Sequence, residues 1–419
     1  MESELGSGSQ SNTGQSDHPG DHSRSPPQSQ SHGATISTLP REIVVDILSR
    51  LHTPSLFRAQ FVCRSWQALA RDPLLLHLNR PRVASSHDLS IVFHSDPPLR
   101  SQLYFVKDVS GDGGDGRNRP ASEFHPPFAA VAPDFDLVGS SEGLLCLANA
   151  LSSHDVYVYN PLTVEYREFP DLEDHQRILK IVFGFGFDEI ENDYKVIKIV
   201  YPIINHFISR GVAHSKVQVC SLRNPKWRRL DHLTYSLEAT PSQPLVNRRL
   251  HWTTLTRSGV YVEIVSFDMS NEQFKNVPTP KCVPFLLTRC HLVELGGCLS
   301  AAILSVSGAL EIWVMKEYGM QESWIMDYSI GSYLPRDLHN PNNKFNDRSC
   351  KDSRILTRRE YQINVRVLAM LRNGEILLEY YNRVLVCYDP NHDKAVNLML
   401  EGLPKWFESI VHVSNINRM

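Results

Sequence analysis

The chain is poor in the features that most often settle a protein's class. No apolar run approaches the roughly 18 to 20 residues that cross a bilayer, and the start MESELGSGSQSNTGQSDHPG has neither the basic nor the apolar segment of a secretory signal. An excess of one charge is missing too: 43 Lys and Arg stand against 46 Asp and Glu, so no general field draws the molecule to phosphate backbones or anionic lipid. Cysteine is sparse, with eight (63, 146, 220, 282, 290, 298, 350, 387) over 419 residues and no C-x-x-C pair. That spacing excludes a disulfide scaffold, and Cys290, His291 and Cys298 fit no standard zinc module. These absences predict a soluble chain with reduced thiols in cytosol or nucleus, bound to neither nucleic acid nor membrane and holding no metal.

What is present falls into three parts. Residues 1–35 are Ser, Gly, Gln, His, Asp and Pro with almost no large apolar side chain, a composition that cannot offset its own ordering entropy and predicts a disordered tail. Residues 36–80 change character abruptly. Ile43, Val44, Ile47, Leu48 and Leu51 fall on one stripe of a helix, opposed by Arg41, Glu42, Asp46 and Arg50. Pro40 suits the first turn, Pro54 opens a second helix, and Leu56, Phe57, Phe61, Val62, Trp66 and Leu69 supply the apolar face of that helix and the next, with Pro73 as the stop. A helical module of about 45 residues is at the size where its own core is marginal and a partner completes it.

From residue 85 to 419 the period changes to two. Short segments rich in Val, Tyr, Ile and Trp are each followed by a turn and a second strand: VYVYNPLTVEYREFP, VQVCSLRNPKWRRLD, VEIVSFDMSNEQFKNVP, EIWVMKEYGMQESWIMDY and VLVCYDPNHDKAVNLML. Aromatics on the second strand (Tyr166, Trp227, Phe274, Trp324) recur at about the 50-residue period of kelch-type blades. Repetition of a four-stranded sheet around an axis protects so many edges, which predicts an all-β propeller, with an irregular pair of sandwiches as the alternative. The strand-like FESIVHVSNI at the end is expected to join DLSIVFHS and QLYFVKD near the start in one composite blade, making six. Residues 109–133 and 331–360, polar and rich in Gly, Pro, Asn or Arg, are expected to be long loops, the second forming part of a binding surface.

Motifs that could carry chemistry have plainer readings. Gly139-Ser140-Ser141-Glu142-Gly143 matches a nucleophile elbow as a string, but the strand-like LLCLA follows where a helix is needed. Gly184-Phe185-Gly186-Phe187-Asp188 lacks the third glycine and the helix of a dinucleotide site and reads as a strand with close packing at its glycines. Asp108, Ser110, Asp112 and Gly113 open like a calcium loop, but Arg119 stands where a bidentate Glu is required. Basic clusters at Lys226-Trp227-Arg228-Arg229, Arg248-Arg249 and 354–359 read as solvated strand edges and loop surface. Glu189 and Glu191 sit in a turn without sign of a pocket, so no acid-base or nucleophile constellation emerges.

Leu39-Pro40-x-Glu42-Ile43-x-x-x-Ile47-Leu48-x-x-Leu51, then Ser55-Leu56, Val62-Cys63-Arg64-Ser65-Trp66 and Asp72-Pro73 together resemble an F-box. The remainder resembles the F-box-associated, kelch-like domain of the large plant F-box family in GLLCL (143–147), YNPLTVEYREFP (159–170), GFGFDEIENDYKVIKI (184–199), EIWVMKEYG (311–319), ESW (322–324) and NGEILLEY with LVCYDP (373–390). His52 and Pro54 depart from the family's habit. The resemblance implies a substrate receptor of an SCF ubiquitin ligase, itself no enzyme and without a cofactor. The F-box would dock on a Skp-family adaptor, and through it on cullin and a RING subunit, by way of Leu39, Pro40, Ile43, Ile47, Leu48, Leu51, Leu56, Val62, Cys63 and Trp66, with Trp66 equally suited to the module's own core. The repeat domain would hold a target protein that the sequence does not identify. Two other readings are an adaptor-binding scaffold outside ubiquitination and a copper oxidase on a kelch-like ring, against which the scattered histidines argue.

Overall fold

Three short helices come first among the described residues: α1 (Arg41–Ser49), α2 (Thr53–Ala59) and α3 (Arg64–Leu69). The computed structural model describes residues 39–415 apart from 52, 71, 73, 76–77, 79–88, 96–101, 108, 110–117, 130–134, 150–154, 170–177, 203–214, 232, 256–261, 282–289, 306–307 and 332–364. The expected tail, the calcium-like run and all of the 331–360 insertion beyond Gly331 therefore lie outside the described residues. The Pro40 carbonyl accepts the Ile43 and Val44 amides at 3.1 and 3.2 Å, closing the first turn of α1. Cys63 caps α3, its Sγ accepting the Trp66 amide at 3.5 Å. The stop expected at Pro73 is corrected: α3 ends at Leu69, and the chain is helical again at Leu74, Leu75 and Leu78. Asp72 Oδ1 accepts the Leu74 amide at 2.9 Å.

The rest is a six-bladed β-propeller. Its first strands are β1 (Leu89–Ser95), β2 (Leu103–Val106), β3 (Asn118–Pro120) and β4 (Ser122–Phe124). Blade 2 holds β5 (Asp136–Ser141), β6 (Leu144–Ala148), β7 (Val156–Tyr159) and β8 (Tyr166–Phe169), and blade 3 holds β9 (Ile178–Asp188), β10 (Asp193–Pro202), β11 (Lys216–Ser221) and β12 (Arg228–Leu230). Blade 4 is β13 (Leu245–Val246), β14 (Arg249–Leu255), β15 (Val262–Asp268) and β16 (Phe274–Val277); blade 5 is β17 (Cys290–Leu295), β18 (Cys298–Leu304), β19 (Leu310–Met315) and β20 (Trp324–Ile330). Blade 6 contains β21 (Val365–Met370), β22 (Ile376–Tyr380), β23 (Val384–Asp389) and β24 (Lys394–Glu401), and the last strand is β25 (Phe407–Val413).

Blade 1 has the order β25-β1-β2-β4, with β25 antiparallel to β1 from Leu89↔Val413 to Ser95↔Phe407. The C-terminal strand thus closes the ring as the sequence leads one to expect. The expectation of one long loop at 109–133 is corrected, since β3 and β4 lie inside it. β4 completes blade 1, whereas β3 adds to the outer edge of blade 6 in parallel with Met399–Glu401 of β24.

Strict alternation of apolar and polar residues is not what the inner strands show. β6 (LLCLA), β7 (VYVY) and β22 (ILLEY) are buried at every position. The reason is that both faces of a blade are covered by neighbouring blades, so residues of either parity need apolar surroundings. In β6, Leu144, Cys146 and Ala148 join the core shared with blade 3, while Leu145 and Leu147 join the core shared with blade 1. Six apolar clusters occupy the six seams between adjacent blades.

Strand direction sorts the connections. First-to-second and third-to-fourth strands within a blade are joined at one end of the ring, mostly by short turns such as 142–143, 189–192, 247–248 and 296–297. The strand ends that the second-to-third and blade-to-blade connections join lie at the other end, among them those flanking 203–215, 231–244, 278–289 and 331–364.

Candidate functional site

Burial divides the apolar residues of the helical segment in two. Val44, Val45 and Leu48 on α1 and Leu56 on α2 are buried, as is Leu75. Ile43 and Ile47, one turn apart on α1, are instead 48% and 44% exposed, and Phe61 and Val62 between α2 and α3 are 73% and 64% exposed. Leu74 and Leu78 are exposed as well. Side chains of this size left in water forgo roughly 1.5 to 3 kcal/mol each, and so many within a few helical turns mark a contact surface more than they mark a stable module.

The residues expected to meet the adaptor separate accordingly. Pro40, Ile43, Ile47, Val62 and Cys63 are exposed, and Leu39, Leu51 and Trp66 are half-buried. Leu48 and Leu56 are fully buried and have no surface to offer, so their place is in the interior. Phe61, Leu74 and Leu78 belong with the exposed set although no motif singles them out. Their signal in the sequence is only an apolar residue next to the helix ends. Phe61 is held by Phe57, ring centroids 5.3 Å apart at 82°, and the thiol of Cys63 is engaged as a helix cap.

Several of the ring's buried titratable groups bridge its seams. Ser140 Oγ lies 2.9 Å from Nδ1 of His412, a pairing seen in nucleophilic sites, but it joins β5 to β25 across the seam of blades 1 and 2. Gly139–Gly143 is a strand and hairpin turn with no helix after it. His412 is buried, and burial pulls its pKa down to about 4. His291 accepts the Val367 amide at Nε2 (2.8 Å) across the seam of blades 5 and 6, with burial, and behind it Arg366, pulling it down to about 3. His251 meets the Tyr318 hydroxyl at 2.8 Å between blades 4 and 5 and is held at about 4, again by burial. Cys290 and Cys298 sit at opposite ends of the β17–β18 pairing, and among the described residues no group of three or more His, Cys, Asp or Glu could hold a metal ion.

Between blades 3 and 4 lies a charge network that the sequence conceals. Lys195 on β10 is fully buried, its Nζ 3.0 Å from Asp188 Oδ2, 2.9 Å from Glu191 Oε2, 3.2 Å from Glu272 Oε1 and 2.7 Å from the Met269 carbonyl. Glu272 also takes Arg228 in a two-pronged pair at 2.9 and 2.6 Å. Burial alone would lower the Lys195 pKa, but the three carboxylates outweigh it and hold the ammonium charged. Glu191 and Arg228 are exposed, as the turn and edge readings expect, but Glu191 reaches the buried Lys195 directly and Arg228 reaches it through the shared Glu272, and Arg249 pairs with Asp268 at 2.5 Å. Each of these charges has a partner in the protein, an arrangement that fixes the seam.

Comparison with known proteins agrees with this division. Residues 36–78 match the F-box-like family, and residues 116–418 match the family described as the F-box associated beta propeller domain. F-box protein At3g07870 of Arabidopsis thaliana is 39% identical over 403 residues, which is 92% of this chain and 93% of that one. F-box protein CPR1 of the same plant is 26% identical over 91% of this chain and 89% of its own length. The Arabidopsis F-box/kelch-repeat protein At3g23880 is 27% identical over 68% and 78%.

Proposed function

Because the chain belongs to the F-box proteins that carry an F-box-associated β-propeller, we propose that it is a substrate receptor of an SCF ubiquitin ligase. The observation that carries the reading is the exposed apolar set on the helical segment, Ile43, Ile47, Phe61 and Val62 above all. A segment that leaves such side chains in water is completed by a partner, and a Skp-family adaptor is the partner that the F-box implies, with cullin and the RING subunit reached through it. The ring then holds the target protein. Its chemistry is proximity: a lysine of the target is kept near a ubiquitin-charged conjugating enzyme, which raises the effective concentration of the reacting groups. The receptor contributes no chemical group of its own.

The end of the ring that gathers the longer connections is the proposed target-binding face, with the 331–364 connection a part of it. Loops on a rigid scaffold vary without disturbing the fold, and recognition is placed there for that reason. Deleting 335–360 is expected to change the set of proteins found by proximity labelling; an unchanged set would remove this segment from the face.

The receptor reading is tested by co-purification of the full chain with a Skp-family adaptor and cullin beside the double variant Ile47→Asp/Val62→Asp. The expected result is capture of both partners by the wild type and of neither by the variant, at an unchanged melting temperature. Capture of the adaptor without cullin would favour a scaffold outside ubiquitination. A folded wild type that captures no adaptor would end the proposal.

A further inference from the structure

The inner strand of blade 4 breaks the regularity of the ring. The first strands of the other blades run six to eleven residues, whereas β13 has two. Leu245 and Val246 pair with Leu250 and Arg249. Upstream, Leu237 bridges Thr254, the Glu238 amide donates to the Thr253 carbonyl at 2.9 Å, and Thr254 Oγ1 donates to the Ser236 carbonyl at 3.1 Å. Between these two paired stretches, residues 239–244 (Ala-Thr-Pro-Ser-Gln-Pro) stand opposite only His251 and Trp252. Pro241 and Pro244 have no amide hydrogen to give to a ladder, so the chain leaves the sheet here.

It leaves toward the channel. The Ser242 amide donates to the carbonyl of Val138 at 2.9 Å, and a Cβ at Gly139 would lie 3.6 Å from Ser242 Cα. Val138 and Gly139 are on β5, the inner strand of blade 2, so the contact passes over blade 3. β5 receives it at an irregularity: its register with β6 shifts between Leu137 and Gly139, and the residue the bulge leaves without a ladder partner is the acceptor, Val138. β9 of blade 3 keeps the distance short. A Cβ at Gly184 would come within 2.6 Å of Trp252 Cζ2, and one at Gly186 within 3.4 to 3.5 Å of Leu250 and Leu245, so the two glycines let blade 4 lie close against blade 3.

The near end is tied down as firmly. Lys180 Nζ of β9 donates to Ser236 Oγ at 3.1 Å and to the Leu237 carbonyl at 2.8 Å, and the Tyr201 hydroxyl accepts the Leu237 amide and donates to the Tyr235 carbonyl. Gln243 Nε2 donates to the Thr240 carbonyl at 2.5 Å within the segment, and His251 Nδ1 lies 3.2 Å from the Pro244 carbonyl. We infer that residues 239–244 form a strap along the channel side of blade 3, tying blade 4 to blade 2 and holding blades 2, 3 and 4 as one body. Adaptor docking does not require it, so it stands independently of the receptor reading.

The test uses the full chain. Gly139→Cys/Ser242→Cys is expected to form an intramolecular disulfide under mild oxidation, identified by mass in unreduced peptides and absent from each single variant. A folded double variant that keeps both thiols free would overturn the strap. Should the double variant fail to fold, hydrogen exchange on the wild type decides: the Ser242 amide is expected to exchange at least tenfold more slowly than an unstructured amide, and exchange at the unstructured rate would overturn the proposal. Replacing 239–244 by Asn-Gly should speed exchange in β5 at least tenfold and leave β19 and β20 unchanged. Unchanged protection in β5 would show that the strap braces nothing.

Discussion

The helical segment and the ring draw on the same apolar residue types and use them in opposite ways. In the ring Phe93, Trp252 and Phe267 are fully buried in seams, and the last strand pairs with the first strand so that blade 1 is completed and the ring closes on itself. In the helical segment Phe61 and Val62 remain in water. A closed ring supplies two covered faces to every blade and can use nearly all its apolar surface for its own stability. Three helices of nine, seven and six residues cannot, because a short amphipathic helix gains its stability from whatever covers it. The difference says where each part's free energy of contact is spent, internally for the ring and on a partner for the helices.

The sharpest way to break this comparison is a matched pair of substitutions. Phe267→Ala, which empties a site against Phe274 at a 4.9 Å centroid distance, should cost about 3 to 5 kcal/mol in denaturant unfolding. Phe61→Ala should change stability by no more than about 0.5 kcal/mol while weakening adaptor capture. Equal effects on stability would mean that Phe61 is part of a core after all. Lys195→Ala tests the polar side of the ring. It leaves Asp188 beside a buried hole without its cation and Glu272 held by Arg228 alone, and loss of one member of such a network costs about 3 to 5 kcal/mol. A change below about 1 kcal/mol would show that the cluster is solvated and behaves as a surface ion pair.

Acid should act on the ring at a milder level. His251 and His412 titrate near 4 when folded and His291 near 3, all depressed by burial from an ordinary value of about 6.5. Above that value both folded and unfolded chains hold neutral rings. As the pH falls below about 6.5, the unfolded chain takes up protons that the seams refuse, so stability drops with falling pH until the folded values are reached. The expected loss is about 1 to 3 kcal/mol per histidine between pH 7 and 4. For His291 a proton on Nε2 would oppose the Val367 amide directly. None of α1, α2 or α3 contains a histidine, so this acid response belongs to the ring. Denaturant melts at pH 7 and pH 5 measure it, and His412→Gln should flatten the slope; a slope that His412→Gln leaves unchanged would place the titrating group elsewhere.

Local patterns account for what the sequence discloses. The outer hairpins of blades 2 to 6 are legible because each couples apolar strand residues to a turn a few positions away, and the composite blade follows once a lone strand at each terminus needs a partner. β3 is not legible. Asn118-Arg119-Pro120 has no strand propensity of its own, and it is a strand only because Met399–Glu401, far along the chain, offers an edge. The strap at 239–244 depends in the same way on a bulge in β5. In α1, periodicity marks Ile43, Val44, Ile47 and Leu48 as one apolar stripe, but which edge of it is covered depends on tertiary packing. Hence the buried Leu48 and the exposed Ile47 look alike from the sequence, and the charges around Lys195 look like surface.

The smallest effect concerns exposed apolar residues in the ring itself. Val164, in the turn between β7 and β8, is 54% exposed, so exposure alone does not set the helical segment apart. Its backbone is in the left-handed region at φ 62, where a β-branched residue is strained. The turn holds it there: Asn160 Oδ1 accepts the Leu162 and Thr163 amides, and the Val164 amide donates to the Asn160 carbonyl at 2.9 Å. Val164→Gly removes the strain without removing a buried contact, and the gain is offset in part by the freer unfolded chain. A rise of about 0.5 to 1 kcal/mol is expected with adaptor capture unchanged, read by thermal melting of the full chain. A fall in stability would mean that the Val164 side chain packs in solution, and exposed apolar residues in the ring would then no longer be the counterexample to those on the helices.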